Sequence, residues 1–107
     1  MSATYLSYSA TAILQAMANG YVYGFDIMDA TGLPSGTVYP ALRRMEASGL
    51  IDSAWEKPAI AQREQRPPRK YYELTRTGVH ALSEAAGRYR LDDHPLAQPG
   101  KPSRARG

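Results

Sequence analysis

The side chains of this 107-residue chain that are best suited to chemistry are cations gathered in two short segments. Arg43 and Arg44 stand side by side in the first segment. The second segment, residues 57–70, contributes Lys57, Arg63, Arg66, Arg69 and Lys70. Guanidinium groups pair with phosphates and with the edge of guanine, so both segments predict binding to nucleic acid.

Catalytic chemistry is not expected from these residues. The chain has no cysteine, and His80 has no cysteine or acid cluster near it in sequence. Asp92, Asp93 and His94 are a weak candidate for a metal site, because nothing around them supplies supporting hydrogen bonds. The glycines are dispersed, so no phosphate-binding glycine-rich loop is predicted. We therefore expect no catalytic residue, no metal ion and no cofactor.

The elements that must position the arginine pair are two short helices joined by a tight turn. The first helix runs roughly from Gly24 to Thr31 and ends at Gly32, since glycine readily takes the positive φ that closes a helix. Pro34 carries the chain across the turn, and the Ser35 hydroxyl is predicted to cap the second helix. This pattern is typical of a helix-turn-helix, whose second helix commonly enters the major groove of DNA.

The second helix, which ends at Gly49, has one apolar stripe for the core: Val38, Leu42 and Met45. The helix tolerates Pro40 because this proline lies close to the first turn. The exposed N–H groups around Gly36, Thr37 and Val38 point out from the helix N-terminus and form a ready phosphate site. Adjacent residues diverge by ~100°, so at least one arginine is expected on phosphate, unless it pairs with Glu46 or Asp26. The predicted DNA contacts of this helix are Ser35, Gly36, Thr37, Tyr39, Pro40, Arg43 and Arg44.

Hydrophobic periodicity predicts the flanking elements. An amphipathic helix runs roughly from Ser7 to Ala18. Alternating residues predict strands over residues 50–56 and 69–75, and the link from Tyr21 to Tyr23 is a candidate for a minor third strand. A last helix runs roughly from Arg76 to Arg90. The architecture is therefore mostly α with one β-hairpin.

The connection between the two strands, residues 58–68, is longer than an ordinary hairpin loop. Its charges and prolines predict that it stays out of the core. We interpret it as a wing that lays cations along the DNA backbone or in the minor groove, although a merely solvated loop stays open. The DNA contacts predicted on this hairpin are Arg63, Arg66, Arg69, Lys70 and Tyr72.

The last helix places apolar residues at spacings of 3, 4 and 3, the pattern of a coiled-coil seam: Val79, Leu82, Ala86 and Tyr89. The seam covers barely two heptads, which is too short for a free-standing coiled coil. Packing on the chain's own core and packing on a second subunit are both open at this point.

The ordered set of motifs over about residues 6–90 resembles the PadR-type winged-helix transcriptional regulators. The matching residues are Tyr23-Gly24, the helix from Ser35 to Glu46, Gly49-Leu50-Ile51, Trp55, the strand from Arg69 to Thr75, and Gly78. The resemblance implies a winged helix-turn-helix in the order α-α-α-β-β-α. It also implies a homodimer, in which the seam of the last helix meets Leu6, Ile13 or Met17 of the partner.

The resemblance further implies a sequence-specific regulator of transcription, most simply a homodimeric repressor on a near-palindromic stretch of double-stranded DNA. Residues 1–75 would be the DNA-binding domain and residues 76–90 the dimerisation helix. A winged-helix adaptor that binds protein instead of DNA is the alternative. A small aromatic inducer between subunits is also implied, whereas Trp55 is better explained as an anchor of the wing on the core.

Composition is consistent with a single intracellular domain. The formal charge is +3 and the sequence pI is about 9.3, which permits binding to nucleic acid without requiring it. No apolar run approaches the ~18 residues of a membrane span, and no signal peptide is evident. We therefore expect a cytoplasmic, nucleoid-associated protein. Residues 91–107 are rich in proline and predict a disordered basic tail, with Lys101, Arg104 and Arg106.

Overall fold

The computed structural model describes residues 6–89, which form five helices and two strands. The elements in chain order are α1 (Tyr8–Ala18), α2 (Gly24–Thr31), α3 (Ser35–Ala47), β1 (Ile51–Trp55), α4 (Pro58–Arg63), β2 (Lys70–Leu74) and α5 (Arg76–Tyr89). The prediction of a mostly helical winged helix with a two-stranded hairpin is confirmed. The order differs at one point, because α4 lies between the strands.

The core is built around α1, which packs against α2, α3, α5 and β2. Ser7 caps α1 by accepting a hydrogen bond from the Ala10 N–H at 3.1 Å. Ile13 and Leu14 of α1 are fully buried. The helices around α1 contribute Ile27 and Leu42 to the same cluster, so the domain has one continuous core.

The turn between α2 and α3 has the predicted shape with a different cap. Gly32 takes φ 76°, and its N–H donates to the Met28 carbonyl at 2.8 Å. The prediction that Ser35 caps α3 is wrong, because Pro34 takes that position with φ −76° and ψ 162°. The Pro34 carbonyl accepts from the N–H groups of Thr37 and Val38 at 2.9 and 3.0 Å, so Ser35 is already the first helical residue.

The two strands pair antiparallel, with Ile51 opposite Leu74 and Trp55 opposite Lys70. The predicted third strand is reduced to a single bridge between Tyr23 and Tyr71. This bridge places the start of α2 directly beside the hairpin.

The wing connection is partly helical, which the sequence interpretation missed. Pro58 begins α4 as its first residue, where a missing N–H has no cost. Ala61 is buried at 2% exposure but lies outside the continuous apolar cluster of the core. The helix is followed by Gln65 in the left-handed region at φ 58°, after which the Arg66 N–H donates to the Ala61 carbonyl.

The last helix is held to the end of α3 by Thr75. Its hydroxyl oxygen caps α5 by accepting from the Gly78 N–H at 3.0 Å, and the same hydroxyl donates to the Gly49 carbonyl at 2.6 Å. Leu82 and Ala85 then enter the core beside α1. The last helix therefore shares one hydrophobic core with the helix-turn-helix.

Several sequence predictions fall outside residues 6–89: the tail at 91–107, the candidate metal site at Asp92, Asp93 and His94, and the end of the last helix at Arg90. Within the described part of the chain, no helix combines the length and the apolar character needed to cross a bilayer. The same part of the chain holds no cluster of three or more side chains placed to bind a metal ion.

Candidate nucleic-acid interface

The solvent-facing side of α3 forms a ridge of four residues, Gly36, Pro40, Arg43 and Ala47, which follow one another at helical spacing. The opposite side is buried, with Val38 and Leu42 at 0% and 1% exposure. Arg43 is exposed on the ridge. Arg44 is also exposed, but it lines a hollow formed with Leu6, Ala10 and Met45 on the α1 side. The predicted divergence of the two arginines is therefore observed.

Neither arginine of α3 forms an ion pair within residues 6–89. Glu46, one of the acids considered as a partner, instead accepts a 2.7 Å hydrogen bond from the Ser53 hydroxyl. That bond ties α3 to β1. The guanidinium groups of Arg43 and Arg44 therefore stay available to a partner outside the chain.

The start of α3 offers fewer free amides than the sequence suggested. The N–H groups of Thr37 and Val38 are bonded to the Pro34 carbonyl, which leaves those of Ser35 and Gly36. Both residues are exposed, and a Cβ atom added to Gly36 would meet nothing within 4 Å. Open backbone at a helix N-terminus is suited to close approach by a phosphate group.

The Tyr39 side chain lies against the first residue of α2 as well as towards solvent. Tyr39 is 38% exposed, and its ring sits directly over Gly24. Tyr39 therefore borders the exposed ridge of α3 without standing freely on it.

The sequence did not predict the role of Glu56, which pairs with two cations of the wing, Arg66 and Arg69. Its carboxylate accepts two hydrogen bonds from Arg66, at 2.6 and 2.9 Å, and lies 3.7 Å from an Arg69 nitrogen. The hydrogen bond from Arg66 lowers the pKa of Glu56 to about 2. Arg66 is therefore engaged in a structural ion pair, and its role as a DNA contact stays a prediction.

The remaining cations of the hairpin differ in their surroundings. Arg69 stacks on Tyr23 at 3.9 Å from the ring centre, and the Lys70 ammonium group lies 5.8 Å from the centre of Trp55. Arg63 is exposed at the end of α4, with no hydrogen bond or ion pair inside residues 6–89. Arg63 and Lys70 are thus the wing cations best placed for an external anion.

Trp55 is 64% exposed, so its predicted role as an anchor on the core is wrong. The strand β1 leaves the core after Ile51, and its last residues lie beyond the apolar cluster. Trp55 instead borders an open cavity of about 350 Å³ between α2, α3 and the hairpin. The lining consists of Tyr23, Gly24, Phe25, Asp26, Tyr39, Trp55, Arg69, Lys70 and Tyr72.

Tyr72 lies at the bottom of this group with 7% exposure. Burial raises the pKa of its phenol. The low exposure of Tyr72 does not favour direct contact with a DNA duplex, and its role as a DNA contact stays a prediction. The alternation of the strand carried a signal for this burial, because Tyr72 lies two residues before Leu74 and shares its inward face.

Comparison with known families decides the class of the protein. The model of the transcriptional regulator PadR-like family matches residues 13–84. The chain belongs to the PadR-like family. Its members are transcriptional regulators that bind DNA, which makes this chain a DNA-binding regulator rather than a member of an enzyme family.

Solved structures of PadR-like proteins agree with this assignment. A PadR family transcription regulator from Clostridium difficile R20291 is 29% identical, with a TM-score of 0.67, and the match covers 81% of this chain and 92% of that chain. A PadR-like transcriptional regulator from Bacillus cereus is 26% identical, with a TM-score of 0.59, covering 85% and 92% of the two chains. No match was found among curated proteins.

The predicted dimer seam of this PadR-like chain is largely occupied within one subunit. Leu6, Ile13, Met17 and Leu82 are at most 8% exposed in the single chain, so these side chains already pack within one subunit, and their contact with a partner stays a prediction. Core packing, the alternative that the sequence left open, accounts for them. Val79 is 52% exposed, while Ala86 and Tyr89 are half-buried. Those three residues keep an apolar surface on α5.

Proposed function

We propose that this PadR-like chain is a homodimeric repressor that binds a near-palindromic operator. The observation that carries the proposal is the exposed guanidinium of Arg43, which has no partner in residues 6–89 and lies two helical turns from the open backbone of Gly36, on the same face of α3. A guanidinium presented on the second helix of a helix-turn-helix suits both guanine edges and phosphates. Such a regulator acts at the chromosome, and we propose the cytoplasmic nucleoid as its location.

In the proposed complex, α3 supplies both kinds of contact. Base contacts come from Ser35, Thr37 and Arg43. Phosphate contacts come from the Ser35 and Gly36 amides, from Arg44, and from the wing through Arg63, Arg69 and Lys70. Pro40 and Tyr39 would contact the DNA through van der Waals packing and form the rest of the DNA-facing surface of α3. Two copies would present their recognition helices about 34 Å apart, one turn of DNA.

The test is fluorescence anisotropy with DNA from upstream of the protein's own gene, against a scrambled duplex of equal composition, at several salt concentrations. We expect tighter binding to the upstream duplex and a steep fall in affinity with salt. Replacing Arg43 and Arg44 together by alanine should lower the specific affinity by about a hundredfold or more, at about 1–3 kcal/mol per lost contact, with unchanged circular dichroism.

Arg76→Ala is the control for a loss of charge, because Arg76 is exposed outside α3. We expect this variant to lower the affinity for both duplexes slightly and equally. Retention of specific binding by the double variant would rule out α3 as the recognition helix.

A protein–protein adaptor is the second candidate, favoured by one observation. Phe25 and Trp55 are 73% and 64% exposed, and both border the cavity beside α3. Large exposed apolar groups often mark protein contacts. Weak and equal binding to both duplexes, lost at moderate salt, would support this function instead of repression.

A small aromatic effector has two candidate places, the subunit interface that the resemblance implies and the cavity within one chain. The observations favour the cavity, because it is lined by five aromatic side chains and includes Tyr39 of α3. A ligand bound in the cavity would contact Tyr39 and could therefore shift the recognition helix directly. An aromatic carboxylate added to the anisotropy assay should release DNA and change Trp55 fluorescence; release without a fluorescence change would favour the interface.

A further inference from the structure

We propose that Gly24 is a positioning residue for DNA recognition: its missing side chain creates the seat in which the Tyr39 ring joins the recognition helix to α2. This inference rests on the proposed DNA-binding function of α3. It concerns a residue that has no DNA contact of its own.

The backbone conformation at position 24 does not require a glycine. Three other glycines take positive φ angles that only glycine adopts easily: Gly20, Gly32 and Gly49. Gly24 is not among them, and it is the first residue of α2. Glycine is the least favourable residue for a helix after proline, so its presence there needs another explanation.

The explanation is steric, because the Tyr39 ring leaves no room for a side chain at Gly24. A Cβ atom in ideal position on Gly24 would lie 2.6 Å from Cε1 and 2.7 Å from Cζ of Tyr39, with the phenol oxygen closer still. Real Cβ atoms do not approach other heavy atoms so closely. Three atoms of one side chain are involved, so removal of the hydroxyl alone would not make room for alanine. The Tyr39 ring occupies the volume that any other residue at position 24 would need.

The seat lies where three elements meet. Gly24 is buried at the start of α2, Tyr39 projects from α3, and Tyr72 of β2 lines the same cavity. The Tyr23–Tyr71 bridge fixes the residue before Gly24 to the hairpin. A ring seated at this point joins α3 to α2 beside the hairpin, and we infer that this contact helps to align Arg43 with the wing cations.

Displacement of the ring should therefore weaken recognition without removing any of the proposed base or phosphate contacts. In Gly24→Ala the ring must leave its seat, and the contact that joins α3 to α2 at this point is lost. Misalignment of a helix in the major groove loses base contacts before phosphate contacts, since base contacts require exact register. Sequence-specific affinity should fall more than nonspecific affinity.

Two further glycines provide matched controls. Gly87 lies in α5 at negative φ with nothing within 4 Å of an added Cβ, so Gly87→Ala tests the general effect of this substitution in a helix. Gly36 is equally open but lies in the proposed DNA surface, so Gly36→Ala tests loss of close approach by DNA without displacement of Tyr39.

The experiment is a double-mutant cycle with Gly24→Ala and Tyr39→Ala. The probe is a duplex selected by the wild-type protein from a random library, and affinity for it is compared with affinity for a scrambled duplex. We expect Gly24→Ala to reduce the specific affinity about tenfold or more, as for loss of one base contact, and the scrambled affinity much less. In a protein that already carries Tyr39→Ala, Gly24→Ala should have no further effect, since no ring is left to displace.

Two outcomes overturn the proposal: unchanged specific affinity in Gly24→Ala, or an equal loss with and without the Tyr39→Ala substitution. An equal loss would mean that Gly24 acts through α2 alone. Gly87→Ala should bind both duplexes like the wild type.

A DNA-independent measurement separates this proposal from the function on which it rests. In the free wild-type protein, nuclear Overhauser contacts should join the Tyr39 ring protons to the Gly24 α-protons, and Gly24→Ala should shift the ring resonances. Absence of those contacts overturns the seat even if the wild type binds DNA. Failure of the wild type to select any duplex, with the contacts present, would refute the DNA-binding role and leave the seat intact.

Discussion

At the scale of single residues, charge in this chain has two separate uses. Arg43 and Arg63 are exposed and have no partner within residues 6–89. Arg66 makes two hydrogen bonds to the buried carboxylate of Glu56, an arrangement that is stronger than a neutral hydrogen bond. A count of basic residues therefore overstates the charge that the wing can offer to DNA.

The Glu56 carboxylate should make stability depend on pH in the acidic range. Arg66 lowers its pKa from 4.5 to about 2, so the folded state binds this proton less readily than the unfolded state does. The stabilising contribution is then fully present above pH 4.5 and is lost as the pH falls towards about 2. We expect urea denaturation to show a falling free energy of unfolding across this window.

Glu56→Gln should be less stable than the wild type at neutral pH and should lose less stability on acidification. Glu73→Gln is the matched control, because Glu73 is exposed on β2 and makes no ion pair within residues 6–89. An unchanged acid profile in Glu56→Gln would show that other carboxylates cause the pH dependence.

Some residues of the candidate site could be predicted from local spacing in the sequence, and others could not. Arg43 and Gly36 are exposed where the helical spacing placed them, because a regular helix fixes the direction of each side chain. The burial of Tyr72 and the ion pair of Arg66 were not predicted, since their surroundings come from other elements. No local pattern reveals that Glu56 lies opposite Arg66, across α4.

At the scale of elements, close approach of backbones matters as much as apolar burial. The start of α5 lies against the end of α3, where the Thr75 N–H and hydroxyl both bond to the Leu50 carbonyl at 3.0 Å. Gly78 is buried one turn further along α5. A Cβ atom at that position would lie 3.0 Å from the Leu50 carbonyl carbon and nearer still to its oxygen. The absence of a side chain at Gly78 therefore permits the packing of α5.

Gly78→Ala should accordingly lower the free energy of unfolding by about 1–3 kcal/mol, the usual effect of overpacking, despite the better helix propensity of alanine. Gly87→Ala in the same helix meets no neighbour and should raise it by up to about 1 kcal/mol. Chemical denaturation of both variants measures the contrast. Equal stabilisation of the two would contradict the close contact between α5 and Leu50.

At the scale of the whole molecule, one chain already closes its own core. Leu82 and Ala85 of α5 pack beside α1, and the Tyr89 hydroxyl donates to the Leu6 carbonyl at 3.0 Å. Tyr8 and Tyr89 meet edge to face at 5.5 Å between ring centres. What remains for a second subunit is the flank of α5 with Val79 and Ala86. The proposed dimer therefore depends on residues beside the predicted seam rather than on its buried members.

Val79→Asp should therefore give a monomer in sedimentation with unchanged circular dichroism. An aspartate at this 52% exposed position is solvated in the monomer but would be buried without a partner in the dimer. His80→Asp, at the next exposed position of α5, is the control and should stay dimeric. A dimeric Val79→Asp variant would place the subunit interface away from α5.

The sequence by itself determined the elements of this protein other than α4, and also the outward face of α3, because periodicity, glycine turns and capping residues act over a few neighbouring positions. It also carried the family resemblance, which the family match to residues 13–84 confirmed. Only the tertiary structure decided which cations remain available, how the seam of α5 is divided between core and surface, and why Gly24 is a glycine. Each of these depends on a partner far away in sequence: Glu56 for Arg66, α1 for Leu82, and Tyr39 for Gly24. Local patterns cannot encode such pairs, because the fold brings them together.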